Sequence, residues 1–216
     1  MNALLKKAIA EFLGVAGFLA AIISSTTIAG GARAGGFANL ALGATLGLMI
    51  LLTAGTSGGH LNPAVSLYFL AKRGISLTDF ITYVVAQLAG AAVGVQIGFA
   101  LAGTSAGAAV ATAPATDILA EFVTTTVLVW IVGHLAATDQ GSKIPFAVGL
   151  WVVAASLYTT SGAQANPAVT FGLLFNGHSV TYVGTVILAQ VIGVLCALVL
   201  VMFVTGPAAK KAAKKK

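Results

Sequence analysis

The sequence predicts an all-α membrane protein with six transmembrane helices and two re-entrant half-helices, arranged as an inverted repeat within a single membrane domain. Three observations lead there. Hydrophobic residues make up 58% of the 216 residues and charged residues 7%, against roughly 25% charged in a soluble domain, and the mean hydropathy is +1.01. Six stretches are long and apolar enough to cross a bilayer, which takes about 20 residues. A nine-residue motif containing Asn-Pro-Ala then occurs twice at corresponding places in the two halves. The first observation excludes soluble, disordered and disulfide-stapled classes. The lone Cys196 has no intrachain partner and reads as a small buried hydrophobe.

The spans read, in order, as about 8–29, 37–56, 79–102, 117–136, 144–160 and 180–205. Lys6-Lys7 before the first span invites a signal peptide, but the run is long and carries Glu11, so an uncleaved first span is expected. Glycine-rich 30–36 separates the first two spans, 103–116 the third and fourth, and Ala137 to Lys143 the fourth and fifth. Two apolar pieces remain, Pro63 to Leu70 and Pro167 to Phe175. Each reaches about 13 Å, half a bilayer. Gly43 and Gly47 in the second span, and Gly90, Gly94 and Gly98 in the third, recur at helical spacing and permit close helix approach, expected within the chain.

Six spans put both termini on one side. If that side is cytoplasmic, it carries Lys6, Lys7, Lys72, Arg73, Lys143 and the five lysines of the 206–216 tail, against Arg33 alone outside. This fits the positive-inside rule. The cations lie at the ends of the chain and in short loops, which is a membrane pattern with a tail suited to anionic lipid; no nucleic-acid partner is expected. Which membrane holds the protein stays open.

Ala10-Glu11-Phe12 recurs as Ala120-Glu121-Phe122. Ser57-Gly58-Gly59-His60-Leu61-Asn62-Pro63-Ala64-Val65 recurs as Ser161-Gly162-Ala163-Gln164-Ala165-Asn166-Pro167-Ala168-Val169. Ala86-Gln87 recurs as Ala189-Gln190. The matches keep their order, which marks a duplicated three-span unit, about 8–102 and 117–205. Three is odd, so the second copy enters from the opposite face, and such folds place their site at the midplane on broken helices. Pro63 and Pro167 suit the first helical position, and Asn62 and Asn166 the N-cap before it. Two half-helices then meet by their N-termini, where positive dipole ends oppose cations and the Asn amides donate to a passing oxygen. No ATP motif, cofactor motif, metal constellation or nucleophile elbow accompanies them. The chain reads as a passive channel for small neutral molecules, with no enzyme activity.

The paired motifs resemble those of the aquaporin family, the major intrinsic proteins, over about residues 8–205. The resemblance implies six spanning helices, two re-entrant half-helices, a pore in each subunit, water as a permeant and a homotetramer. It also implies that Glu11 and Glu121 support the re-entrant loops, with Gln87 and Gln190 bridging. His60 either lines the pore or packs within its loop.

The family pattern carries an arginine directly after the second Asn-Pro-Ala; here Val169 stands there. Alignment by spacing puts Leu42 and Ala163 at two further filter positions, and Ser156 or Ala154 at the fourth. All are small, apolar or weakly polar. Either the pore is wide and also passes glycerol, urea, ammonia or peroxide, or Phe171, Tyr158 or Trp151 refills it and water dominates. His134 and His178 are expected to be bland and interfacial. The rivals to a channel are a secondary transporter, which needs an ionisable pair near the midplane that is not evident here, and a closed-pore structural membrane protein.

Overall fold

The computed structural model describes residues 2–27 and 37–205. The expected placements of Arg33 and of the lysine tail fall outside these. Among the described residues eight α-helices follow one another: α1 (Ala3–Thr27), α2 (Phe37–Ser57), α3 (Pro63–Ala71), α4 (Leu77–Ala102), α5 (Ala115–Ala137), α6 (Ile144–Tyr158), α7 (Pro167–Gly172) and α8 (Val180–Thr205). Six of these are long and apolar enough to cross a membrane, the fifth counted with the 3-10 turn Gly141–Lys143 that leads into α6. The other two are the half-length pieces. α7 tightens after Gly172 into a 3-10 turn, Leu173–Asn176, and stops at Gly177, whose φ of 91° reverses the chain.

Packing follows the duplication. α1 packs on α4 as α5 packs on α8, and α1 meets α2 as α5 meets α6. α2 packs on its counterpart α6, and α3 touches its counterpart α7. Glycines set the closest approaches. On α4, a Cβ at Gly94 would lie 2.5 Å from the Ala16 carbonyl oxygen of α1 and 2.7 Å from the Leu19 Cβ. A Cβ at Gly149 of α6 would lie 2.6 Å from the Gly43 carbonyl oxygen of α2. The glycine stripes therefore serve the interior of the chain, as expected. Large apolar side chains such as Leu52, Leu101, Leu150 and Phe203 remain exposed on the outer faces, where a bilayer solvates them.

Candidate functional site

Each half-helix begins as its sequence dictates. Asn62 is in extended backbone at φ −160° and its Oδ1 accepts from the Ala64 N–H at 2.8 Å, with Pro63 at the first turn. Asn166 repeats this at φ −158°, accepting from the Ala168 N–H at 2.9 Å. The two amides also cross between halves. Asn62 Nδ2 donates to the Ala165 carbonyl at 2.8 Å, and Asn166 Nδ2 to the Leu61 carbonyl at 2.9 Å. An amide nitrogen carries two N–H groups, so one on each asparagine is left for the cavity that both residues border.

The loops that deliver these caps are held in left-handed backbone at matching positions: Gly58 and Gly162, Gly59 and Ala163, Leu61 and Ala165, with φ of 92° and 71°, 61° and 54°, 48° and 45°. For residues bearing a Cβ this costs roughly 1–2 kcal/mol each, so something must hold them. Glu11 accepts from Ser57 Oγ at 2.5 Å, the His60 N–H at 3.0 Å, the Leu61 N–H at 2.6 Å and Gln87 Nε2 at 2.7 Å. Glu121 accepts from Ser161 Oγ at 2.6 Å, the Gln164 and Ala165 N–H groups at 2.8 Å, and Gln190 Nε2 at 2.7 Å. Both carboxylates are fully buried. Four donors occupy about all the lone pairs a carboxylate has.

The crossed asparagines border one cavity, and a second lies on the α7 side. The one on the α3 side is narrow, about 50 Å³, and mostly apolar, with Leu46, Ile50, Phe69 and Val148 in its wall. His60 borders it, yet is also packed: Nδ1 lies 3.1 Å from Ser66 Oγ, and the ring stacks on Phe69 at 4.8 Å and meets Tyr83 edge-on at 5.2 Å. Both expectations for this residue therefore describe part of its place.

The cavity on the α7 side is about 510 Å³. Leu42, Ser156, Ala163 and Val169, which come from three separate segments of sequence, all line it. Of the two residues that the spacing counts offered, Ser156 lines it and Ala154 does not. None of the three bulky candidates for refilling it is in its wall. The Trp151 indole donates to the Thr124 carbonyl at 3.1 Å, Tyr158 is exposed, and Phe171 packs on Phe175 at 5.8 Å.

Sequence reading missed a polar wall in this cavity. Asp117 lines it and accepts from Thr160 Oγ1 at 2.6 Å and from the Tyr182 hydroxyl at 3.1 Å. His178, expected to be bland, also lines it, 4.6 Å from the Tyr182 ring. Burial pushes its imidazole below the ordinary value of 6.5. The repeat offsets carried the signal: they place Asp117 opposite Lys7 and Tyr182 opposite Asp79, and Lys7 and Asp79 form an ion pair at 2.9 Å on the α3-side face. His134 pairs with Thr205 at 3.1 Å, away from both cavities.

The family model Major intrinsic protein matches residues 1–160 and 111–216. The chain is 33% identical to Aquaglyceroporin AqpS of Rhizobium meliloti over 95% of its own length and 92% of that protein. It is 31% identical to the Aquaglyceroporin of Toxoplasma gondii, covering 80% of this chain and 66% of that one. It is 32% identical to Aquaporin PIP2-1 of Arabidopsis thaliana, covering 69% and 60% respectively. The X-ray structure of the aquaglyceroporin from Plasmodium falciparum superposes with a TM-score of 0.72 at 21% identity, over 93% of this chain and 95% of that one.

Proposed function

The chain belongs to the major intrinsic protein family, and we propose that its pore passes water together with small neutral solutes of the size of glycerol and urea. That it is a passive channel for water and small solutes follows from the family; the breadth of selectivity is our reading. The observation that carries it is that Val169, Ala163, Leu42 and Ser156, all uncharged, line one cavity of about 510 Å³ whose wall includes none of Phe171, Tyr158 and Trp151. Names given to two relatives, AqpS and the Toxoplasma gondii protein, include aquaglyceroporin, in line with this reading.

In the proposed mechanism a solute enters the α7-side cavity, passes Leu42, Ala163 and Val169 on its apolar side and meets the free N–H of Asn62 and Asn166. A water oxygen that accepts from both cannot pass a proton onward through the same lone pairs. The N-terminal ends of the two half-helices add a positive potential that opposes cations. Glu11 and Glu121 hold the loops in register and touch no solute. We place both termini on the cytoplasmic side, on the positive-inside count, which makes the α7-side cavity the outer one. A homotetramer is proposed on the family pattern, and native mass measurement in detergent tests it.

Stopped-flow light scattering of proteoliposomes tests the selectivity. Water, glycerol and urea fluxes are all expected above protein-free vesicles, with a low activation energy and no uphill accumulation. Val169→Arg should cut glycerol and urea flux several-fold more than water flux, and should lower any cation leak. Unchanged glycerol and urea fluxes in that variant overturn the assignment of the constriction.

A further inference from the structure

The two mouths of the protein differ in charge. At the α3-side mouth the Asp79 carboxylate is matched by Lys7 at 2.9 Å. At the α7-side mouth the repeat-equivalent positions hold Asp117 and Tyr182, and Asp117 is met by two neutral hydroxyls. Among the described lining residues it is the one acidic side chain in the cavity, and no Lys or Arg stands with it. The hydroxyls use two of about four lone-pair sites. Asp117 is 9% exposed, so the carboxylate is partly desolvated and its attraction for a cation is stronger than at an open surface. Beside it, the half-buried His178 ring lines the same cavity and packs against Tyr182 at 4.6 Å. Val169 supplies no cation to repel a visitor, and the half-helix ends deeper in the pore stop one from passing.

We propose that the α7-side cavity is a binding site for small nitrogenous organic cations, held by Asp117, and that an occupant there obstructs the pore. A guanidinium or protonated amine presents several N–H donors and one charge, which suits a carboxylate with spare lone pairs. The cavity of about 510 Å³ takes such an ion with some of its water. The obstruction clause rests on the channel reading; the binding clause does not.

Guanidinium and urea make a matched pair of probes, planar and of equal size, differing in charge. Guanidinium chloride at low millimolar concentration should slow water flux through proteoliposomes, while urea and sodium chloride at the same concentration should not. Asp117→Asn should raise the half-blocking concentration about tenfold, the order of one charge-assisted hydrogen bond, and Asp117→Glu should retain the block. Calorimetric titration of the detergent-solubilised protein with guanidinium should give saturable binding that Val169→Arg weakens without removing Asp117. Equal slowing by urea and guanidinium, block undiminished in Asp117→Asn, or no saturable binding to wild type each overturns the site. Vesicles with no water flux at all would instead overturn the channel reading, and the calorimetry would still decide the binding.

Discussion

Glu11 is an acidic side chain in an apolar span, and its cost is offset only because four donors converge on it. Glu11→Ala leaves two backbone N–H groups and the Gln87 amide facing a void, and the left-handed turn at Leu61 loses its restraint. A loss of about 3–5 kcal/mol is expected, read as a large fall in melting temperature in detergent, and Glu121→Ala should behave alike. Lys7→Ala, by contrast, removes a partly exposed ion pair and should cost at most about 1 kcal/mol. Variants of Glu11 and Lys7 that melt together would refute the loop-support role. His178 gives a pH dependence. Burial favours its neutral form in the fold, so stability is full above the ordinary pKa of 6.5 and falls as pH drops below it, where the unfolded chain takes up the proton first. His178→Asn should flatten melting temperature against pH in that acidic range. The support of the loops by Glu11 came from the family resemblance, while the repeated Ala-Glu-Phe marked Glu11 and Glu121 only as equivalent; Asp117 was passed over, because an acid at the start of a helix ordinarily reads as a cap, although the repeat offsets set it against Lys7.

At the scale of elements, the length of the apolar stretches placed all six spans, and the Asn-Pro pairs placed both half-helices. Ends were less legible. α1 begins at Ala3 and α4 at Leu77 because lysine and capping residues continue a helix past its apolar limit: Ser76 Oγ accepts from the Asp79 N–H at 3.0 Å. α6 ends at Tyr158, two residues early, where the chain must turn toward the α7 loop. The glycine stripes were readable as close contacts, and the fold supplies their partners. A Cβ at Gly90 would run into the Phe12 carbonyl oxygen on α1, and one at Gly193 would lie 2.8 Å from the Phe122 carbonyl oxygen on α5, repeat-equivalent approaches. Gly94→Ala places a methyl against backbone that has no room to move, and should cost about 1–3 kcal/mol. Thermal unfolding of that variant beside Gly55→Ala, where a Cβ meets nothing within 4 Å, isolates packing from helix propensity. Equal stabilities would show that α1 and α4 are not held at contact distance.

For the whole molecule, the duplication reproduces supports and caps almost atom for atom while the two cavities diverge, about 50 Å³ against about 510 Å³. The supports were legible as repeated words. The cavities were not, since their volume depends on what neighbouring helices leave unfilled, and the three aromatic residues that sequence offered as fillers turn elsewhere. The crossed bonds between Asn62 and Ala165, and between Asn166 and Leu61, join residues 103 and 105 positions apart. During synthesis the first three spans are made before their acceptor and donor exist. A half-inserted chain thus holds an unpaired amide and an unpaired carbonyl at mid-bilayer depth, where each unmet polar group costs several kcal/mol. The second half completes the first as a folding partner, and biogenesis of the pore centre waits for the last third of the chain to enter the membrane.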